Sequence, residues 1–266
     1  MIGKRNRLYS EGVSEAIGFI LIFSLVITGI GLVTLYGYPM LLKQQSSANE
    51  RIMEKNMIVL QNDFKSLTYK TVPYKESSLK IEGGALYVHS TTDTPSVATI
   101  RIYDNNGIDY VANYHPGDLR YIPMDDMTNS ISLQNGAVIK GQSSGSAMLA
   151  QPRWFYDSAT NTWVINLMAV NSTKVQSKTG ICLVKMGLSN MSEYIFTDTP
   201  APPINFEYTP DPAHDYSAAW DGYFMNELKT APPAIVGTTR TYTLPVAATP
   251  APRLVIKKYE VDIQTL

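Results

Sequence analysis

Hydrophobic positions fall into three regimes along the chain. From Ala16 to Leu42 no Asp, Glu, Lys or Arg interrupts an almost wholly apolar run. A helix of about 20 such residues crosses a bilayer, and a run apolar on every face has no place in a soluble core. The second regime, from Lys43 to about Lys70, is amphipathic: Met53, Met57, Leu60, Phe64 and Leu67 recur at spacings of 4, 3, 4 and 3, with polar residues between them. That is a helical stripe, wet on one side, and its width suits covering the chain's own sheet better than a short coiled-coil seam.

Beyond Val72-Pro73 the pattern shortens into strand-like runs punctuated by turn residues. Leu79–His89, Ala98–Tyr103 and Tyr110–Tyr114 read as a meander, the last two joined across Asn105-Asn106-Gly107. Ile131–Gln134 and Ala137–Lys140 flank Asn135-Gly136, a second hairpin signal. Ala147–Ala150 with Trp154–Tyr156 is expected to face Thr162–Val170 across Asp157–Asn161, and Ile181–Met186 and Glu193–Phe196 extend the series. Prolines 200, 202, 203, 210 and 212 mark 197–215 as an irregular loop. Trp220, Phe224 and Leu228 lie at i, i+4 and i+8 of a short helix expected to pack on the sheet, and Thr241–Leu244 and Arg253–Ile263 alternate like closing strands.

The expected class is α+β: a long N-terminal transmembrane and amphipathic helix, then a mostly antiparallel β-sheet or β-sandwich domain. The segments are a basic leader over 1–12, a span over 13–42, an amphipathic helix over 43–72 and a β-rich domain over 73–266. Glycines 29, 31 and 37, with Ser24 and Thr28, let helices approach closely in lipid or in a filament core. Pro39 predicts a kink at the end of the span, where Tyr36 and Tyr38 suit an interface.

Charge sets the orientation. Lys4, Arg5 and Arg7 precede the span and mixed charges follow it, which favours a cytoplasmic N-terminus and an exterior C-terminal domain. With 22 basic and 23 acidic residues scattered along the chain, no nucleic-acid footprint is present. Cys182, the only cysteine, excludes an intramolecular disulfide, and its apolar setting predicts a buried thiol rather than a reactive one.

The basic leader, Gly12 and the following Val13, Ser14, Glu15, Ala16, Ile17, Gly18 and Phe19 resemble the N-terminus of archaeal type IV pilin-like proteins with class III signal peptides. The resemblance covers about the first 45 residues. It implies that prepilin peptidase cuts between Gly12 and Val13, leaving Val13 as the mature N-terminus. Bacterial-type pilins place a glutamate where this chain has Ile17, so the family's pairing role does not carry over directly to Glu15. The implied function is a cell-surface structural or adhesion protein, anchored in the membrane or assembled with identical or related subunits into an extracellular filament. The alternative is a single-pass anchored binding or envelope-scaffold module that does not polymerise.

Candidate chemistry is sparse. His89, His115 and His214 have no metal-ligand spacing, so no metal or other cofactor is expected. The segment from Asp104 to Asp109 reads as a hairpin turn rather than a calcium loop, and Gly83-Gly84 as a bulge. Asp118, Asp125 and Asp126 read as loop acids, and no hydrolase or phosphate-loop motif occurs, so no catalytic residue is nominated and no enzyme is expected. Asn171-Ser172-Thr173 and Asn190-Met191-Ser192 match the N-glycosylation acceptor pattern.

Overall fold

The computed structural model describes residues 5–70, 72–93, 97–197 and 200–266, with side chains from Glu15 onward. It divides into two compact units, 1–48 and 49–266.

The first unit is helical. Helix α1, Arg5–Leu32, passes through a π turn, Val33–Gly37, into α2, Tyr38–Tyr69. Pro39 has no N–H to give to the carbonyl one turn back, and the wider turn lies directly before it, with the Tyr38 N–H donating to the Val33 carbonyl. Where a kink was expected the helix carries this local widening, and the backbone stays helical from Glu15 to Tyr69.

The second unit begins with the last turns of α2 and adds fourteen strands and one helix. The strands are β1 (Tyr74–His89), β2 (Thr99–Tyr103), β3 (Asp109–Tyr114), β4 (Asp118–Pro123), β5 (Ser130–Gln134), β6 (Ala137–Gln142) and β7 (Gly145–Ala150). They continue with β8 (Phe155–Asp157), β9 (Thr162–Asn171), β10 (Gln176–Phe196), β11 (Ile204–Thr209), α3 (Ser217–Asn226), β12 (Ala234–Val236), β13 (Thr239–Leu244) and β14 (Arg253–Thr265). Nine form one sheet in the order β7-β6-β5-β4-β1-β10-β14-β9-β8, and five form another in the order β12-β13-β11-β2-β3.

Strand register decides which side of the large sheet each residue occupies. Trp163 lies opposite Leu254 and Ile165 opposite Ile256, and these point to a core shared with β2, β11, β13 and α3. Five residues beyond Ile165, an odd step that changes face, Val170 opposite Val261 points to the other side, where Met53, Met57, Leu60, Phe64 and Leu67 of α2 are seated. The unit is thus three-layered, with helix α2, the large sheet, and the small sheet with α3. All five stripe residues of α2 are fully buried, and each such side chain contributes roughly 1.5–3 kcal/mol of transfer free energy. Between the stripe and the sheet edge, Lys140 of β6 pairs with Glu50 and Glu54 at 3.0 and 2.8 Å.

The α+β class holds, and several local expectations do too. Asn135 and Gly136 take φ of 48° and 76°, the left-handed pair that a two-residue hairpin requires, and β5 pairs with β6 across them. Asn105-Asn106-Gly107 joins β2 to β3, and the 157–161 turn joins β8 to β9. Gly83, at φ 68°, sits in a bulge between Ile81 and Leu86, where the register of β1 against β10 shifts and its other edge begins to pair with β4 at Gly84.

Other expectations are corrected. β1 does not form a meander with β2, because the chain changes sheets between His89 and Thr99. β7 pairs with β6 across a turn at Ser143-Ser144, not with β9. The proline-rich segment 197–215 contains β11, whose flanking prolines stand outside the ladder and leave Ile204–Thr209 free to pair on both edges. Asp118, read as a loop acid, lies in β4, a buried strand. The C-terminal strand β14 inserts between β9 and β10 and runs parallel to β9, the one parallel pair among the described strands.

Candidate functional site

Two features outside ordinary core packing stand out, an apolar helix surface and a buried charge cluster. From Ala16 to Leu42 no side chain is buried, and Phe19, Leu25, Leu35 and Tyr36 are each at least 70% exposed. Ser24 and Thr34 fall on this segment, and the hydroxyls of Thr28 and Thr34 turn back to the carbonyls of Ser24 and Ile30. Their polarity is satisfied within the helix, which suits a hydrocarbon surround. The segment is long and apolar enough to cross a membrane.

The charge cluster lies between the large sheet and the segment leading into α3. Alternation in β4 sends Leu119 and Tyr121 towards α2 and sends Asp118 and Arg120 to the opposite face. Arg120 Nε and Nη2 donate to Asp118 Oδ2 at 2.8 and 2.6 Å, and Nη2 lies 2.8 Å from Asp211. Ser132 of β5 donates to the same Asp118 oxygen at 2.7 Å, and His89 of β1 lies 2.8 Å from the other oxygen. The guanidinium also stands 5.7 Å from the Tyr216 ring centroid. Arg120, Asp118 and Asp211 are each no more than 2% exposed.

Burial pushes the Asp118 carboxyl up, but the Arg120 charge, His89 and the Ser132 hydroxyl outweigh it and hold it at about 2. Burial and the same Arg120 charge lower His214, which lies near the cluster. Four donors already occupy the Asp118 oxygens, so the carboxylate acts as an anchor: it holds β1, β4 and β5 together and, through Arg120, secures Asp211 and the entry to α3.

The sequence singled out Asp118 but not Arg120 or Asp211. A lone arginine inside an apolar alternation, Leu119-Arg120-Tyr121, was the available signal, because an inward-facing cation needs a buried acid. Asp125 and Asp126 do not join the cluster; both are exposed in the turn after β4, where Asp126 accepts the Thr128 N–H at 3.0 Å. Asp104 is a turn organiser, accepting from the N–H groups of Asn106 and Ile108 and from the Tyr110 hydroxyl. His89 and His214, distant in sequence, meet at the charge cluster, while His115 lies 3.3 Å from Thr99 Oγ1 on the small sheet. Among the described residues no three His, Cys, Asp or Glu are grouped as metal ligands. Cys182 is fully buried beneath α2, and burial pushes its thiol up.

The processing residues Gly12 and Val13 lie where the α1 backbone is helical but the side chains fall outside the described residues. Of the two acceptor asparagines, Asn190 is exposed beside a bulge in β10, and Asn171 is half-buried with its Oδ1 accepting from the Thr91 hydroxyl at 2.5 Å.

The fold and helix define an α+β protein with one N-terminal helix long and apolar enough to span a membrane, followed by a mostly antiparallel sheet domain. The chain belongs to a family of unknown function, DUF7289, whose model matches residues 11–264. No curated protein matches it, and no solved structure does.

Proposed function

We propose that this protein is a pilin-like cell-surface structural or adhesion subunit, anchored or assembled through its N-terminal helix. The observation that carries the reading is the uncharged, unburied surface from Ala16 to Leu42, which requires either lipid or the helices of other subunits around it. The leader and Gly12 support prepilin-type processing, with Val13 as the mature N-terminus, and the basic residues before the span support an exterior domain. Mass spectrometry of the N-terminus, on protein from native membranes or material shed by shear, tests this. A start at Val13 together with release by shear upholds the filament reading; an intact leader overturns the processing.

The alternative is an anchored exterior module that does not polymerise. It is favoured by the complete use of the α2 stripe within its own domain, which leaves those residues unavailable to a neighbour's helix. Release by detergent but never by shear is its signature.

A further inference from the structure

We infer that the β-domain carries a head-to-tail contact for a second copy of this chain: the turn Met124–Met127 of one copy seats in the cleft below the α2 C-terminus of the next. The inference deepens the assembly reading and rests on it.

The cleft exists because α2 ends at Tyr69 while the face it covers continues. A space of about 450 Å³ remains, lined by Tyr69, Phe155, Val164, Leu188, Met191 and Tyr259 together with Arg153 and Lys257. Cross-strand register makes the apolar lining continuous, with Phe155 opposite Val164, Val164 opposite Val255 and Val255 opposite Ile195. Phe155 and Met191 are 49% exposed and Ile195 is 61% exposed. An apolar row across four strands with no covering element is a docking surface rather than scattered surface hydrophobicity. Its rim carries the Arg153 guanidinium, which stacks 4.7 Å over the Tyr69 ring, while Lys257 already pairs with Glu193 at 3.0 Å.

The complementary surface lies elsewhere on the same unit. Met124 and Met127 are 70% and 75% exposed, and Asp125 and Asp126 between them are also exposed. Two flexible thioethers with the exposed Asp126 carboxylate between them match a cleft that offers aromatic and aliphatic walls with the Arg153 guanidinium at its rim. The turn is held in place, since the Met124 N–H donates to the Gly83 carbonyl at 2.9 Å and Asn129 reaches Glu50 at 3.1 Å.

Position decides the type of contact. The turn sits beside Glu50 and the cleft beside Tyr69, nineteen residues apart on α2, or about 28 Å at 1.5 Å per residue. Two different patches, one near the middle of α2 and one at its C-terminal end, make a heterologous contact, turn to cleft, rather than the self-complementary patch of an isologous pair.

Disulfide trapping in the full-length protein, in native membranes and shed material, tests the contact. Met127→Cys and Met191→Cys are made singly and together; Cys182 is fully buried and stays silent. Co-expression of the two single variants is expected to give a cross-linked dimer, and the double variant a ladder of higher species. Arg153→Glu should reduce the cross-link at least tenfold, and adding Asp126→Arg should restore it. A single variant linking to itself, or no ladder from the double variant, overturns the contact. Shear-released filaments without cross-links would overturn the contact and leave assembly standing; a ladder in membranes that shed no filaments would uphold the contact and overturn the filament reading.

Discussion

Arg120 shows how much one side chain can depend on its surroundings. Its guanidinium is buried with Asp118 and Asp211 as charge partners, and removing one member of such a group leaves uncompensated charge in the interior. Arg120→Met is therefore expected to destabilise the domain by about 3–5 kcal/mol, measured by denaturant unfolding of the detergent-solubilised protein. The same cluster sets an acid limit. The folded carboxyl of Asp118 sits at about 2, below the unfolded value of about 3.9, so its stabilisation is complete above roughly pH 4 and is lost as pH falls towards 2. Asp118→Asn should flatten the stability slope across that window, and acid titration of unfolding reads it directly. A single inward-facing charge was visible in the chain, but its partner Asp211 stands 91 positions after Arg120, and no local pattern names it.

Among elements, α2 was the most legible. A 3.6-residue repeat reports one buried face wherever that face docks, and each residue of the predicted stripe is buried. Leu60→Ala should cost about 2–5 kcal/mol, whereas Val59→Ala, next in sequence but 52% exposed, should change stability by less than about 0.5 kcal/mol; thermal or chemical unfolding of the pair separates the two faces. The bulge in β1 makes a second demand. A Cβ on Gly84 would stand 2.5 Å from both the Ile122 carbonyl oxygen and the Tyr121 ring, so Gly84→Ala should destabilise by about 1–3 kcal/mol or more, with loss of β1–β4 amide protection in hydrogen exchange. Hairpins with a left-handed Asn or a glycine were legible because the backbone conformation requires those residues. β4 and β11 were not, since a buried ion pair and flanking prolines masked their alternation.

For the whole molecule, the span and the domain make separate predictions. Ile30→Lys places a charge near the centre of the apolar segment, at an insertion cost of about 2.5–3.5 kcal/mol, and should reduce the carbonate-resistant membrane fraction. The domain should unfold cooperatively, since β14 contributes Leu254 and Ile256 to one core and Val261 and Ile263 to the other.

The sequence by itself determined what is periodic or local: an apolar span, an amphipathic helix, strand-rich structure after it, the tight hairpins and a buried thiol. Each follows from side-chain chemistry repeating at the period of its own element, with no reference to distant residues. Only the tertiary structure decided the two-sheet division, the insertion of β14 parallel to β9, the Asp118–Arg120–Asp211 cluster and the uncovered cleft beyond Tyr69. These depend on which strands meet across long separations, and pairing between distant strands is set by total burial and charge compensation rather than by any pattern within a segment.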